Sequence, residues 1–387
     1  MTLSTQISDQ PAWSAVWSMS LGIFGIVAAE FLPASLLTPM ASDLHVSEGA
    51  IGQAVTVTAG VAVLASICVA AASGRIDRKK VLLTLTFLLV LSNLLVAIAP
   101  KLTTVLLGRI LLGVSLGGFW ALSAATMMRL VPEAHVPKAL AILFGGVTAA
   151  TVFAAPAGSF FGDLYGWRTV FTCAAGLGAC AFVAQLLFLP VMTSERAARI
   201  FTLFSLLGRR RVGFGMTAFL LVFAGHFGFF TYLRPFLEDV GGLGASGVTL
   251  VLLIFGFGTF LGNSVSSFLI GRSLPAVLVS MPLLLGVLAL LLASFGEVTV
   301  LDAALVGLWG IAFGIIPVSW STWVTQIVPD EAESGGGLLV ATANLAIMIG
   351  AGLGGIVFDV YGVEALFVAC GAVLVLGAVA AGKVRPV

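Results

Sequence analysis

Three ionisable residues, Glu30, Arg109 and His226, interrupt stretches that are otherwise apolar. A charge near the centre of a bilayer costs roughly 2.5 to 3.5 kcal/mol even on the lenient insertion scale, so each is a candidate for function. A carboxyl group in dry apolar surroundings holds a proton and gives it up when water or a cation arrives. Glu30 is the candidate for that chemistry, with a structural ion pair to Arg109 as the alternative. The charge of Arg109 is fixed, which suits it to hold Glu30 or a polar solute; snorkelling to the nearby interface is its alternative. His226 stands among Phe227, Phe229 and Phe230 and either contacts a solute, handles a proton or donates to a backbone carbonyl. Trp120, Ser123, Trp320, Trp323, Gln326, Asn263 and Asn344, with Phe230, supply rings and amides for the rest of a pocket, and planar ligands stack on such rings. Trp13, and Trp323 as an alternative to its place in the pocket, lie near stretch ends and read as interfacial anchors.

The elements that must position these residues are membrane helices. With 60% hydrophobic and 9% charged residues, the chain lacks the roughly 25% charged residues of a soluble protein. Apolar stretches of about 20 residues cross the hydrocarbon as helices, which satisfy their own backbone hydrogen bonds. Twelve are expected, at 16–37, 50–72, 81–99, 105–127, 139–161, 170–189, 212–232, 247–270, 276–294, 303–325, 336–357 and 365–381, giving an all-α polytopic membrane protein. At ~1.5 Å per residue, Glu30 lies ~10 Å, His226 ~9 Å and Arg109 ~6 Å from the outer ends of their spans.

The chain also repeats itself. Val131-Pro132-Glu133 returns 197 positions later as Val328-Pro329-Asp330, Gly74-Arg75 as Gly271-Arg272, and Gly113 with Gly117 as Gly310 with Gly314. Asp163 and Tyr165-Gly166 return one position short, as Asp359 and Tyr361-Gly362. Internal duplication of this kind marks transporters that rock one half against the other around a site at their interface. The halves are residues 1–192 and 212–387, joined by a basic linker at 193–211 whose apolar segment 200–207 is expected to lie along the inner lipid surface. Adding the offset to Ala29 gives His226, so Glu30 and His226 are expected to face each other across the interface. The offset position for Arg109 is Val306, so that charge is not duplicated.

With the N-terminus inside, inner loops and the C-terminal tail hold 14 of the 18 Lys and Arg residues, which places both termini in the cytoplasm. The first helix is expected to be retained, since 1–13 lacks a basic region followed by a short apolar stretch and a cleavage site. Cys68, Cys173, Cys180 and Cys370 read as small packing residues; they have no metal-ligand spacing, and no cofactor or nucleic-acid partner is implied. Glycines four apart recur at Gly158 and Gly162, Gly258 and Gly262, and Gly350 and Gly354 as well as in the repeated pairs. They serve close helix packing, sliding of helices, or both.

Longer motifs resemble the major facilitator superfamily and, within it, the drug/proton antiporter group of bacterial efflux pumps. The likeness runs through Glu30-Phe-Leu-Pro-Ala-Ser-Leu-Leu-Thr-Pro39, Gly117-Gly-Phe-Trp-Ala-Leu-Ser123, Arg129-Leu-Val-Pro132, Phe229-Phe-Thr-Tyr-Leu-Arg-Pro235 and Pro317-Val-Ser-Trp-Ser-Thr-Trp323. Gly74, Asp77 and Arg78 are similar to the gating loop between the second and third helices, with a shortened spacing and without the later glycine. Arg109 with Gly113 and Gly117 is similar to the proton-coupling signature of the fourth helix. Pro156 and Gly158 resemble the antiporter signature of the fifth, with alanine where glycine commonly precedes the proline.

The resemblance implies a monomer in the bacterial inner membrane that exports purine ribonucleosides in exchange for protons. Efflux of sugars or diverse drugs by the same fold is the rival. A membrane-embedded enzyme would need a nucleophile paired with a base, and no such pairing is visible among His45, His135 and His226.

Overall fold

The computed structural model describes residues 11–72, 76–192, 206, 208–295 and 299–384, and no strand occurs among them. The helices are α1 (Trp13–Ser35), α2 (Leu37–Leu44), α3 (Glu48–Ala72), α4 (Arg78–Ala97), α5 (Leu102–Leu130), α6 (Val136–Tyr165), α7 (Trp167–Phe188), α8 (Arg210–Thr231), α9 (Leu233–Asp239), α10 (Ala245–Phe295), α11 (Thr299–Ile327) and α12 (Ala332–Ala381). Ten helices among the described residues are long and apolar enough to cross a membrane. Leu187, Phe268, Leu353 and many other large apolar side chains stand exposed on their outer faces. A belt of that extent suits lipid rather than water.

Two of these helices differ from the expected one-stretch-one-helix pattern. α10 has 51 residues and α12 has 50, so either would reach roughly 75 Å if straight, against a hydrocarbon thickness of about 30 Å. Each contains a break. Ser273 leaves helical geometry at φ −166°, ψ 97°, two residues before Pro275, and its Oγ accepts from Ala276 N at 3.3 Å, capping the start of the second segment. Gly362 sits at φ 83°, a left-handed value that glycine adopts without a Cβ penalty. Its repeat partner Gly166, at φ 82°, separates α6 from α7. The breaks fall in the gaps expected at 271–275 and 358–364.

The repeat is visible in packing. A Cβ on Gly113 would meet the Thr58 carbonyl oxygen and one on Gly310 the Phe255 carbonyl oxygen; for Gly117 and Gly314 the obstacles are the carbonyls of Ala62 and Thr259. Each obstacle in the second copy lies 197 positions after its counterpart. Only glycine lets α5 approach α3, and α11 approach α10, at backbone contact.

The two copies also touch directly at the end expected to face outwards. Arg234 on α9 is 4% exposed. Its Nη1 donates to Ser35 O at 2.6 Å and to Ser159 Oγ at 3.3 Å, and its Nη2 to Asp163 Oδ1 at 2.8 Å. Its Nε donates to Glu238 within α9 at 2.9 Å. Asp359, the repeat partner of Asp163, accepts from Ser47 Oγ at 2.7 Å and from Gly49 N at 3.1 Å. Two equivalent carboxylates thus clasp opposite copies.

Candidate functional site

Between the copies lies a small cavity lined by Glu30, Phe31, Ala34 and Val55 from the first and by Phe227, Phe230, Thr231 and Ile347 from the second. Glu30 and Phe227 are related by the 197-residue offset, as are Ala34 and Thr231, so equivalent positions on α1 and α8 meet here. Phe31 and Phe230 close over each other edge to face, with centroids 5.4 Å apart. Glu30 is the one charged residue in this lining.

Arg109 stands behind Glu30. It begins the third turn of α5 and is fully buried, deeper than its expected place near the helix end, and it does not snorkel. Its guanidinium bonds the backbone next to Glu30 rather than the carboxylate itself: Nη2 donates to Ala29 O at 2.7 Å. Nε and Nη1 are buried without a hydrogen-bond partner, a costly arrangement for a structural arginine. Phe171 lies 5.9 Å from the guanidinium carbon.

His226 does not face Glu30 as the offset suggests. It is turned into its own copy, where Trp309 Nε1 donates to His226 Nδ1 at 2.9 Å. The imidazole lies flat on Phe313, with centroids 3.4 Å apart and planes 3° apart, and Trp309 stacks on Phe229 at 3.7 Å. The predicted bond from His226 to a backbone carbonyl is replaced by this indole contact. Sequence reading misses Trp309 and Phe313 because nothing local marks them, although Trp309 directly precedes the repeated Gly310.

The remaining candidates separate. Phe230 lines the cavity. Trp320 is fully buried and packs against Phe219 and Trp323 at 5.5 and 5.4 Å. Trp323 is also fully buried, so it is not an interfacial anchor; its ring occupies the space that a side chain on Gly215 would need. Trp120 is half-buried beside Phe144. Ser123 returns its hydroxyl to Phe119 O at 2.5 Å. Asn344 donates to Val340 O at 3.0 Å and leaves a buried Oδ1 without a partner. Asn263 and Gln326 are exposed. Of the four cysteines only Cys370 is buried; Cys68, Cys173 and Cys180 are exposed and so do not pack in the interior.

In the loop signature, Asp77 caps α4 by accepting from Lys79 N at 2.8 Å. Arg78 is buried, and its backbone N–H donates to Met192 O at 3.0 Å. Gly74 lies outside the described residues, as does the segment 200–207 except for the buried Leu206. Pro156 lies within α6, and Gly158 two residues on lets that helix close on Ser35 and Leu32 of α1.

Comparison with known proteins agrees with this architecture. The sequence matches the Major Facilitator Superfamily over residues 19–339. It is 44% identical over 369 residues to the purine ribonucleoside efflux pump NepI of Escherichia coli K12, covering 95% of this chain and 93% of that protein. It is likewise 44% identical over 377 residues to NepI of Salmonella paratyphi C, covering 97% and 95%. Among solved structures, an inward-facing bacterial homologue of the human lysosomal transporter Spinster has a TM-score of 0.81 at 16% identity, covering 98% of this chain and 97% of that one. A point mutant of the nucleoside transporter NupG has a TM-score of 0.76 at 16% identity, covering 94% and 98%. With the match spanning most of its length and the fold shared from end to end, the chain belongs to the Major Facilitator Superfamily.

Proposed function

We propose that this chain exports purine ribonucleosides, inosine and guanosine among them, from the cytoplasm in exchange for protons by alternating access. The observation that carries the substrate is the 44% identity, along 95% of the chain, to pumps named for purine ribonucleoside efflux. A secondary transporter that works by rocking needs a site shared by both halves, and the cavity carrying Glu30 lies where equivalent positions of the two copies meet. Glu30 takes and releases the coupled proton, and the fixed charge of Arg109 favours its ionised form when water or substrate enters. A neutral solute with a flat base and a ribose suits Phe230, Trp120 and Trp320 as ring surfaces, with Ser123, His226 and Asn344 as polar partners.

In this reading α10 and α12 each cross the membrane twice, giving twelve crossings, and the Lys and Arg distribution puts both termini in the cytoplasm. Residues 1–192 and 212–387 are the two six-helix bundles, with 193–211 as linker. Gly74, Asp77 and Arg78 form a gating loop on the inner side, and Pro156 with Gly158 forms the antiporter joint between α6 and α1. The protein acts as a monomer in the bacterial inner membrane, without a cofactor, and moves its substrate unchanged. Inverted vesicles carrying the protein are expected to accumulate labelled inosine when acid inside. Accumulation indifferent to the gradient would reject the coupling, and equal transport of unrelated drugs would reject the substrate.

A further inference from the structure

Both copies send a hydrogen-bond donor from the same helix of the repeat to the same position on its neighbour. In the first, Arg109 on α5 donates to the carbonyl of Ala29 on α1. In the second, Trp309 on α11 donates to the side chain of His226 on α8. Ala29 and His226 are equivalent by the 197-residue offset, and Trp309 is equivalent to Leu112, one turn along α5 from Arg109. The junction is common to both copies, but its chemistry is not: one donor is a cation and the other a neutral indole.

An indole N–H only donates. The ring atom of His226 that meets it must therefore carry a lone pair, which makes Nδ1 the bare nitrogen and leaves the hydrogen on Nε2. Turning the imidazole over would set a C–H against the indole N–H, and adding a proton at Nδ1 would set two N–H groups against each other. Movement away from this clash is blocked. Phe313 covers one face at 3.4 Å, Phe227 meets the ring edge to face at 4.9 Å, and Phe230 and Phe255 lie nearly parallel at 5.9 and 6.2 Å. Trp309 is itself pinned by Phe229 at 3.7 Å. Titratable groups on the packed elements include Cys370 of α12, whose thiol meets α8 at Gly228, Asp302 of α11, seven residues before Trp309, and Glu30, which lines the same cavity as Phe230. None of them is part of the direct contact between Trp309 Nε1 and His226 Nδ1.

We infer that Trp309 is a positioning residue which fixes His226 as the neutral Nε2–H tautomer, so that His226 offers a hydrogen-bond donor and the coupled proton is left to Glu30. The last clause rests on the proposed antiport; the tautomer does not.

Two measurements separate them. Nitrogen-15 NMR of histidine-labelled protein contains three imidazoles, and the His226 signals are those lost in His226→Gln. They are expected to show a bare Nδ1 and a protonated Nε2, unchanged across about pH 5 to 8, where histidine ordinarily titrates. In Trp309→Phe, which keeps a ring to stack on Phe229 but has no donor, the pattern is expected to become pH-dependent. A proton on Nδ1 in the native protein, or an imidazolium within that range, overturns the inference whether or not the protein carries nucleosides; so does a Trp309→Phe spectrum identical to the native one. If that variant fails to fold, the native spectrum alone decides.

The second measurement is transport. Glutamine at 226 reproduces the fixed tautomer, with an amide oxygen to accept from Trp309 and an NH2 to donate. His226→Gln is expected to raise the KM for inosine about threefold to tenfold, the range set by weakening one hydrogen bond by about 0.7 to 1.4 kcal/mol, and to retain the response to the proton gradient. Loss of that response with inosine counterflow intact would make His226 a proton carrier and overturn the assignment. Absence of inosine transport in the native protein would reject the proposed function and leave the NMR result standing.

Discussion

Arg234 supplies the sharpest test of how the two copies hold together. Its guanidinium carries three bonds across the interface, to Ser35 O, Ser159 Oγ and Asp163 Oδ1, and one within its own helix, to Glu238. Opening the outer end breaks the three and keeps the fourth. A hydrogen bond involving a charged group contributes about 1.5 to 3 kcal/mol, and one between neutral groups about 0.5 to 1.5. Asp163→Asn keeps an acceptor and removes one of the two charges while the guanidinium stays a cation, so it is expected to weaken the closed state by about 1 kcal/mol, or roughly 5-fold in the closed-to-open ratio. Arg234→Gln removes the cation from both carboxylates. Breaking a fully buried pair costs about 3 to 5 kcal/mol, but Asp163 and Glu238 are 20% and 19% exposed. Water therefore repays part of the loss, leaving an expected shift of about 2 to 3 kcal/mol, or roughly 30- to 150-fold.

The assay is electron spin resonance distance measurement between labels at Ser42 and Ser246, exposed positions of opposite copies at the end expected to face outwards, in a background with the four native cysteines replaced. Both substitutions are expected to add a longer-distance population, larger for Arg234→Gln. Asp359→Asn, which weakens the second clasp at Ser47 and Gly49, is expected to add to Asp163→Asn, because the two carboxylates share no partner. Distance distributions identical to the native one in both Arg234→Gln and Asp163→Asn would refute the reasoning, since the bridge would then contribute nothing to closure.

Three further outcomes follow from the same contacts. Glu30→Gln is expected to abolish gradient-driven inosine accumulation and spare counterflow, measured in the same vesicles; a preserved gradient response would remove Glu30 from coupling. Gly117→Ala and Gly314→Ala each drive a methyl group into a facing carbonyl. Overpacking of this kind costs about 1 to 3 kcal/mol, so both are expected to lower the detergent-solubilised Tm by comparable amounts, and a change confined to one copy would contradict the equivalence of the contacts. Trp323→Ala empties a buried site against Gly215 and Trp320 and is expected to cost about 3 to 5 kcal/mol, seen as loss of folded protein in a thermal-shift measurement. A mild effect would restore the interfacial-anchor reading.

Much of the fold is legible locally, because lipid imposes a simple rule: an apolar run of sufficient length becomes a helix. Even the two breaks lie in expected gaps, one beside Pro275 and one at a glycine shared by both copies. The side-chain partnerships are less legible. Trp309 is 83 residues from His226, and Arg234 is 199 from Ser35; no periodicity connects such pairs. Sequence misplaces Trp323 because a position near a helix end says nothing about which face the residue occupies, and the face toward Gly215 is interior. It sets Arg109 too shallow because the boundary of α5, at Leu102, lies before the start of the apolar run at Val105. Conversely, the offset arithmetic that sets Glu30 beside α8 identifies the right helix, with Phe227 rather than His226 as its counterpart in the cavity.

Duplication makes the departures from symmetry the place to seat the proposed proton coupling. The close approaches at Gly113 and Gly310, and at Gly117 and Gly314, recur because both copies must pack the same way. A side chain that couples a proton to a solute need occur only once, and a second buried charge would add its own desolvation cost. Accordingly Glu30 answers to Phe227, Arg109 to the fully buried Val306, and Trp309 to Leu112. The first copy places a cation with two unpartnered nitrogens next to a carboxyl; the second replaces the cation by an aliphatic side chain and sets an indole and an imidazole in a stack of rings. Under the proposed exchange, the first copy supplies the group that changes charge, and the second supplies rings, Phe227 and Phe230 at the cavity and the His226 stack behind them, that stay neutral. In that proposal a proton and an uncharged planar solute use one opening between the copies without competing for the same atoms.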